Sequence, residues 1–247
     1  MARIGLIVGS GALTWDLGWE STGDRQTDFG EASAPLQRGR AGSHDVFALP
    51  RHGVPHRYAP HAVNYRANVR LLADAGVEAV IALNTVGGIS PWAETEALVL
   101  PDQIIDYTSG RDLSFNADDD VRHIDFSEPY DPRLRTLLLA AAERAGMALH
   151  DGGVMGVTQG PRLETAAEIQ RMARDGCAIV GMTGMPEAVL AREVDLPLAS
   201  LAMVVNPAAG LATEIIDLED IRRASANTMT LAARLLDVFF EGYEGLN

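Results

Sequence analysis

Lysine is absent from this chain of 247 residues, and all 20 basic side chains are arginine. That absence excludes Schiff-base chemistry on lysine and the phosphate-gripping lysine of a Walker loop. Coding bias or adaptation to salt explains the same usage without any function. A single cysteine, Cys177, excludes an internal disulfide and offers no cysteine cluster for zinc. It opens an apolar run and reads as core rather than as a nucleophile. No apolar stretch has the length of a membrane span, and the opening MARIGLIVGSG lacks a signal-peptide layout, so a cytoplasmic protein without a membrane partner is expected. G-x-S-x-G, H-E-x-x-H and Walker A patterns are missing as well. Positive charge is scarce: the formal net charge of -14 argues against nucleic acid as a partner.

What is present alternates. Strand-like runs at Ile4–Val8, Val46–Leu49, Glu78–Leu83, Val154–Thr158, Ala178–Met182 and Leu198–Val205 are separated by helix-like segments at Asn64–Ala75, Pro132–Gly146 and Glu219–Phe240. Thr165-Ala166-Ala167-Glu168 has capping-box spacing and predicts a helix ending near Gly176, and Pro186 marks the first turn of another. The pattern predicts an α/β fold, a central mixed sheet flanked by helices in one domain over 1–247. Residues 21–43 read as a long loop or hairpin, and 109–132 as irregular.

On this acidic chain, residues 51–68 hold three of the six histidines (His52, His56, His61) and three arginines (Arg51, Arg57, Arg66). Proline and glycine mark the stretch as a loop, where sites tend to be built. A guanidinium grips two oxygens of an anion in a planar fork, and the imidazole of His52 is expected to add another donor. A surface salt bridge would equally explain Arg51. The histidine spacing would permit a metal, but no cysteine or nearby carboxylate completes a shell, and none is expected.

Similar polar loops follow other buried strands. Gly9-Ser10-Gly11 offers backbone N–H groups and a hydroxyl to a phosphate, although a plain tight turn fits it equally. Asn84–Gly88, Thr158–Thr165, Gly181–Glu187 and Val205–Gly210 repeat the theme. Ligands of open α/β sheets gather at strand ends, so the loops together predict one convergent site.

In combination and order, the Ile4–Gly11 strand-loop, RHGVPH…VNYRAN at 51–68, PDQIIDYTSGRDLSF at 101–115, HIDFSEPY at 123–130, QGPRLETAAEI at 159–169 and VGMTGMPEAVLARE at 180–193 resemble the trimeric purine nucleoside phosphorylases, and more closely their methylthioadenosine/methylthioinosine branch. The resemblance spans nearly the whole chain. It implies reversible phosphorolysis, in which inorganic phosphate is a co-substrate and no cofactor is needed. Ser10, Arg51, His52, Asn84, Thr85 and Thr183 match the family's phosphate pattern, and Asn206 the position that meets purine N7. Met182 should lie beneath the ribose. Leu163 stands where a phenylalanine often packs on the base, and His123 matches a histidine that reaches a neighbouring subunit's 5′ pocket, implying a homotrimer.

Departures from the family pattern bear on the substrate. Methylthioadenosine enzymes carry two aspartates where this chain has Asn206 and Ala208. An amide offers both a donor and an acceptor, whereas a carboxylate only accepts. The expected substrate is therefore a 6-oxopurine nucleoside, S-methyl-5′-thioinosine first. A general inosine/guanosine phosphorylase or a methylthioadenosine phosphorylase is the alternative within the class. A nucleoside-binding regulatory protein is the alternative outside it, and loss of the anion loop would be its signature.

Overall fold

The computed structural model describes residues 1–9, 15–116, 122–212 and 217–246. The strands in chain order are β1 (Arg3–Val8), β2 (Glu20–Ser21), β3 (Gln26–Thr27), β4 (Gly30–Glu31), β5 (Gln37–Ala41), β6 (His44–Pro50), β7 (Ala79–Gly88), β8 (Leu98–Leu100), β9 (Gln103–Asp106), β10 (His150–Asp151), β11 (Val154–Val157), β12 (Cys177–Gly181) and β13 (Leu198–Pro207). The α-helices are α1 (Tyr65–Asp74), α2 (Pro132–Ala145), α3 (Ala166–Arg174), α4 (Gly184–Glu193) and α5 (Leu218–Glu241). The expected α/β class with a mixed central sheet is what the chain forms.

Strands that are apolar on both faces must be covered on both. In β1, Ile4, Leu6 and Val8 face one core cluster and Ile7 the other; in β7, Ala79, Ile81 and Leu83 alternate with Val80 and Ala82 in the same way. The first cluster is closed by Leu134 and Leu138 of α2 with Leu235 and Phe239 of α5. Val69 and Leu72 of α1, with Leu190 and Ala191 of α4, close the second. Helix boundaries follow local chemistry. Asn64 and Asp131 accept backbone N–H bonds at the starts of α1 and α2, and Gly146 ends α2 at φ 61°. Thr165 and Glu168 form the capping box read from the sequence.

β7 organises the sheet. On one edge it pairs with β13 along nearly its whole length. Its other edge is shared: parallel β1 pairs with Ala79–Leu83, and antiparallel β12 takes over at Gly87 and Gly88. Asn84, Thr85 and Val86 lie between the two partners, so a gap opens there beside the ends of β1 and β6. This corrects the loop expected at 84–88, because continued pairing with β13 holds those residues in the strand. Gly88 permits it, since a Cβ there would lie 1.9 Å from the carbonyl oxygen of Ala93. Asn206 likewise belongs to β13, not to a loop, and pairs with Gly87 after a register shift that leaves Val205 as an extra residue. Such a bulge re-aims the side chain that follows it. The 21–43 segment contains the β3–β4 hairpin and leads through β5 into β6. Apolar periodicity did not mark the short strands β8, β9 and β10.

Candidate active site

A cavity of about 480 Å³ opens at the gap beside β7, within the size range of small-molecule sites. Gly9, Arg51 with His52, Thr85 with Val86 and Gly87, Pro161 with Leu163 and Glu164, Met182 with Thr183, and Asn206 with Ala208 all line it. The expected convergence of strand-end segments is therefore observed. Ser10 lies outside the described residues. Asn84 sits behind the wall rather than on it. His123 is exposed and not among the lining residues.

Arg51 is only 1% exposed, which replaces the surface salt bridge considered from sequence with a buried one. Its Nε and Nη2 donate to the two carboxylate oxygens of Glu187 at 2.5 and 2.9 Å, and its Nη1 donates to the Leu83 carbonyl at 3.0 Å. Asn84 is satisfied when its amide oxygen faces Arg51 Nη2 (3.1 Å) and Thr183 Oγ1 (3.0 Å). Its nitrogen then donates to the Ala82 carbonyl (3.1 Å) and Ser200 Oγ (2.9 Å). These partners match four of the five guanidinium N–H groups and leave one on Nη1. Nη1 borders Gly9: a Cβ at that position would lie 2.9 Å from it. Because Glu187 pins the guanidinium, only glycine lets β1 end so close.

His52 behaves differently from expectation. Its Nδ1 lies 2.8 Å from the Tyr58 carbonyl, which can only accept, so Nδ1 carries the proton. Burial first, and then the Arg51 charge, push its pKa down to about 4. The ring is neutral near pH 7, with Nε2 free as an acceptor, so it does not supply the extra donor foreseen. His56 stacks on it at 4.4 Å between centroids and also lines the cavity. His61 is exposed.

The side of the cavity formed by 161–164 and 206–208 is looser. Leu163 is 42% exposed, and Asn206 Nδ2 donates to the Pro207 carbonyl at 2.6 Å, leaving its second hydrogen available. Glu164, the carboxylate among the described lining residues, accepts from Thr158 Oγ1 at 2.5 Å. Just beyond, Arg162 pairs with Glu168 of the capping box at 2.7 Å, tying the loop to the start of α3. Sequence reasoning missed Glu164 and Glu187. Both stand in quoted motifs, but Glu187 meets Arg51 across 136 residues, a distance no local pattern spans.

A forked sheet with a buried arginine–carboxylate pair at the fork, and hydroxyl, amide and carboxylate groups around one cavity, is the arrangement of an α/β enzyme site. The sequence matches the phosphorylase superfamily over residues 3–241, and the chain belongs to that family. It is similar to a probable S-methyl-5′-thioinosine phosphorylase of Pseudomonas syringae pv. tomato, at 53% identity over 82% of this chain and 83% of that one. It is also similar to the S-methyl-5′-thioadenosine phosphorylase of Mycobacterium tuberculosis, at 42% identity over 94% of this chain and 86% of that one. Among solved structures, a methylthioadenosine phosphorylase from an antarctic soil metagenomic library superposes with a TM-score of 0.90. It is 29% identical, with 96% of this chain and 85% of that chain covered.

Proposed function

We propose that the protein is a pentosyltransferase that cleaves S-methyl-5′-thioinosine with phosphate, giving hypoxanthine and 5-methylthioribose 1-phosphate. The observation that carries the choice of base is the presence of Glu164 and Asn206 in one cavity. Hypoxanthine presents an N1–H donor and, at O6 and N7, acceptors. The Glu164 carboxylate accepts from N1–H, and the remaining Asn206 N–H donates to the acceptor edge. Adenine has a bare N1, which would face the carboxylate lone pairs. A mismatch of that kind in a buried site discriminates strongly.

In this reading a phosphate oxygen bonds to the anomeric carbon as the bond from that carbon to purine N9 breaks, and the bonding pair leaves with the base. Arg51 and the Thr85 hydroxyl hold the anion, with Ser10 and Thr183 assigned by resemblance. The acceptor Nε2 of His52 suits the P–OH of monohydrogen phosphate. The bound anion stabilises positive charge developing on the sugar, and Asn206 stabilises negative charge developing on the base. Met182 lies under the ribose and Leu163 beside the purine. No further cofactor is required.

The exposed His123 fits a role at the 5′ group of a neighbouring copy, so the reading includes a homotrimer, checked by sedimentation of the 26.4 kDa chain. Among the described residues no helix is long and apolar enough to cross a membrane, and this reading implies a reaction in the cytoplasm. The decisive assay compares methylthioinosine, methylthioadenosine, inosine, guanosine and adenosine, each with phosphate. Methylthioinosine should give the highest kcat/KM. A preference for methylthioadenosine would overturn the base argument, and no phosphate-dependent release of any base would overturn the reaction itself.

A further inference from the structure

Behind the cavity wall, Arg111 makes a set of contacts that the reaction described above does not use. Its Nη1 donates to the carbonyls of Met182 (2.9 Å) and Met185 (2.5 Å), and its Nη2 to those of Thr158 (3.3 Å) and Gln159 (2.9 Å). Its guanidinium carbon sits 5.3 Å from the ring centre of Tyr65, whose hydroxyl donates to the Pro60 carbonyl at 2.8 Å. These carbonyls belong to two separate segments. The segment after β11 leads into Leu163 and Glu164; the other runs from the end of β12 into the first turn of α4 and carries Met182, Thr183 and Met185. Without a donor between them, four part-buried carbonyl oxygens would converge with lone pairs facing one another, and acceptors shielded from water and left unmatched are costly.

We infer that Arg111 is a positioning residue: a single guanidinium clamps the wall that reads the base onto the floor that supports the sugar, and so sets the nucleoside half of the site. This inference deepens the phosphorylase reading and rests on it. The planar fork matters, because two nitrogens held in one plane reach both segments at once. A lysine ammonium gathers its donors at a single point. The anion half is anchored independently, since Thr183 is held by Asn84, and Arg51 by Glu187. Loss of the clamp should therefore separate the two substrates.

The test uses the full-length enzyme with Arg111→Met, which keeps the aliphatic stem, and Arg111→Lys, which keeps the charge. For both, the methylthioinosine KM should rise about tenfold or more, while the phosphate KM stays within about twofold. Lysine should restore only part of the loss. If the methionine variant does not fold, the lysine variant alone decides. Unchanged nucleoside KM in a folded variant, an equal rise in both KM values, or full restoration by lysine would each overturn the inference. If the unmodified enzyme releases no base, the phosphorylase reading fails. Calorimetric binding of hypoxanthine and of phosphate, measured separately, still decides on the clamp: weakened hypoxanthine with unchanged phosphate supports it, and any other pattern overturns it.

Discussion

At the Arg51 end of the cavity, Arg51, Asn84 and Thr183 are buried and joined to Glu187, Ser200 and the β7 backbone. At the Asn206 end, Leu163 is exposed and Asn206 leans on the carbonyl of its own neighbour. The first group is fixed by strands and a helix start, the second by a loop and a bulged strand end. Under the proposed reaction the difference separates two tasks. Holding an anion beside a reacting carbon needs donors that do not move, and the interior of the sheet provides them. Choosing one purine over another needs a few polar groups that substitution can change without disturbing the core.

The largest test of that contrast is Arg51→Met. It leaves Glu187 buried without its partner, so unfolding midpoints should show a loss of about 3–5 kcal/mol. Phosphorolysis should fall by about 10²–10³ or more. Near-native stability would mean that the pair is not the structural anchor it appears in the fold. At the base end, Asn206→Asp should shift the methylthioinosine-to-methylthioadenosine preference toward the 6-aminopurine by roughly ten- to a hundredfold. Its stability should change by only about 0.5 kcal/mol. A stability loss as large as that of Arg51→Met would erase the distinction.

A third test uses pH. His52 in the unfolded chain binds its proton near 6.5, but in the folded protein only near 4. The unfolded state therefore takes up the extra proton first, and stability falls as pH drops from 6.5 toward 4. His52→Gln should flatten that part of the stability curve, and an unchanged slope would remove His52 as its source. The smallest effect is expected for Thr165→Ala. It breaks the capping box after the base-side loop and should cost about 1 kcal/mol, read from the denaturation midpoint. Phosphate KM should not move, and a rise there would couple the two ends.

Much of the fold was legible because its signals are local. Alternating apolar strands, the Thr165 capping box and the long α5 periodicity each act within a few residues. Convergence of the strand-end segments was legible too, since that follows from where open sheets leave space. The extent of β7 was not: its polar Asn84-Thr85 resembles a turn, and only β13 keeps it extended. The partner of Arg51 was hidden for a related reason, because an ion pair formed by topology leaves no spacing to read. The tautomer of His52 depends on a single carbonyl, that of Tyr58, placed by the path of the following loop.

Glu187 also bears on how easily the pocket empties. Its carboxylate cancels the formal charge of Arg51 and His52 is neutral, so in the proposed reaction these three side chains would meet an incoming anion with oriented dipoles, while Arg57 lines the cavity beside them. A strongly cationic pocket would retain the sugar phosphate formed in each cycle and throttle release. With Arg51 neutralised by Glu187, the proposed reaction would hold phosphate by fit more than by net charge and release either anion more readily, in both directions.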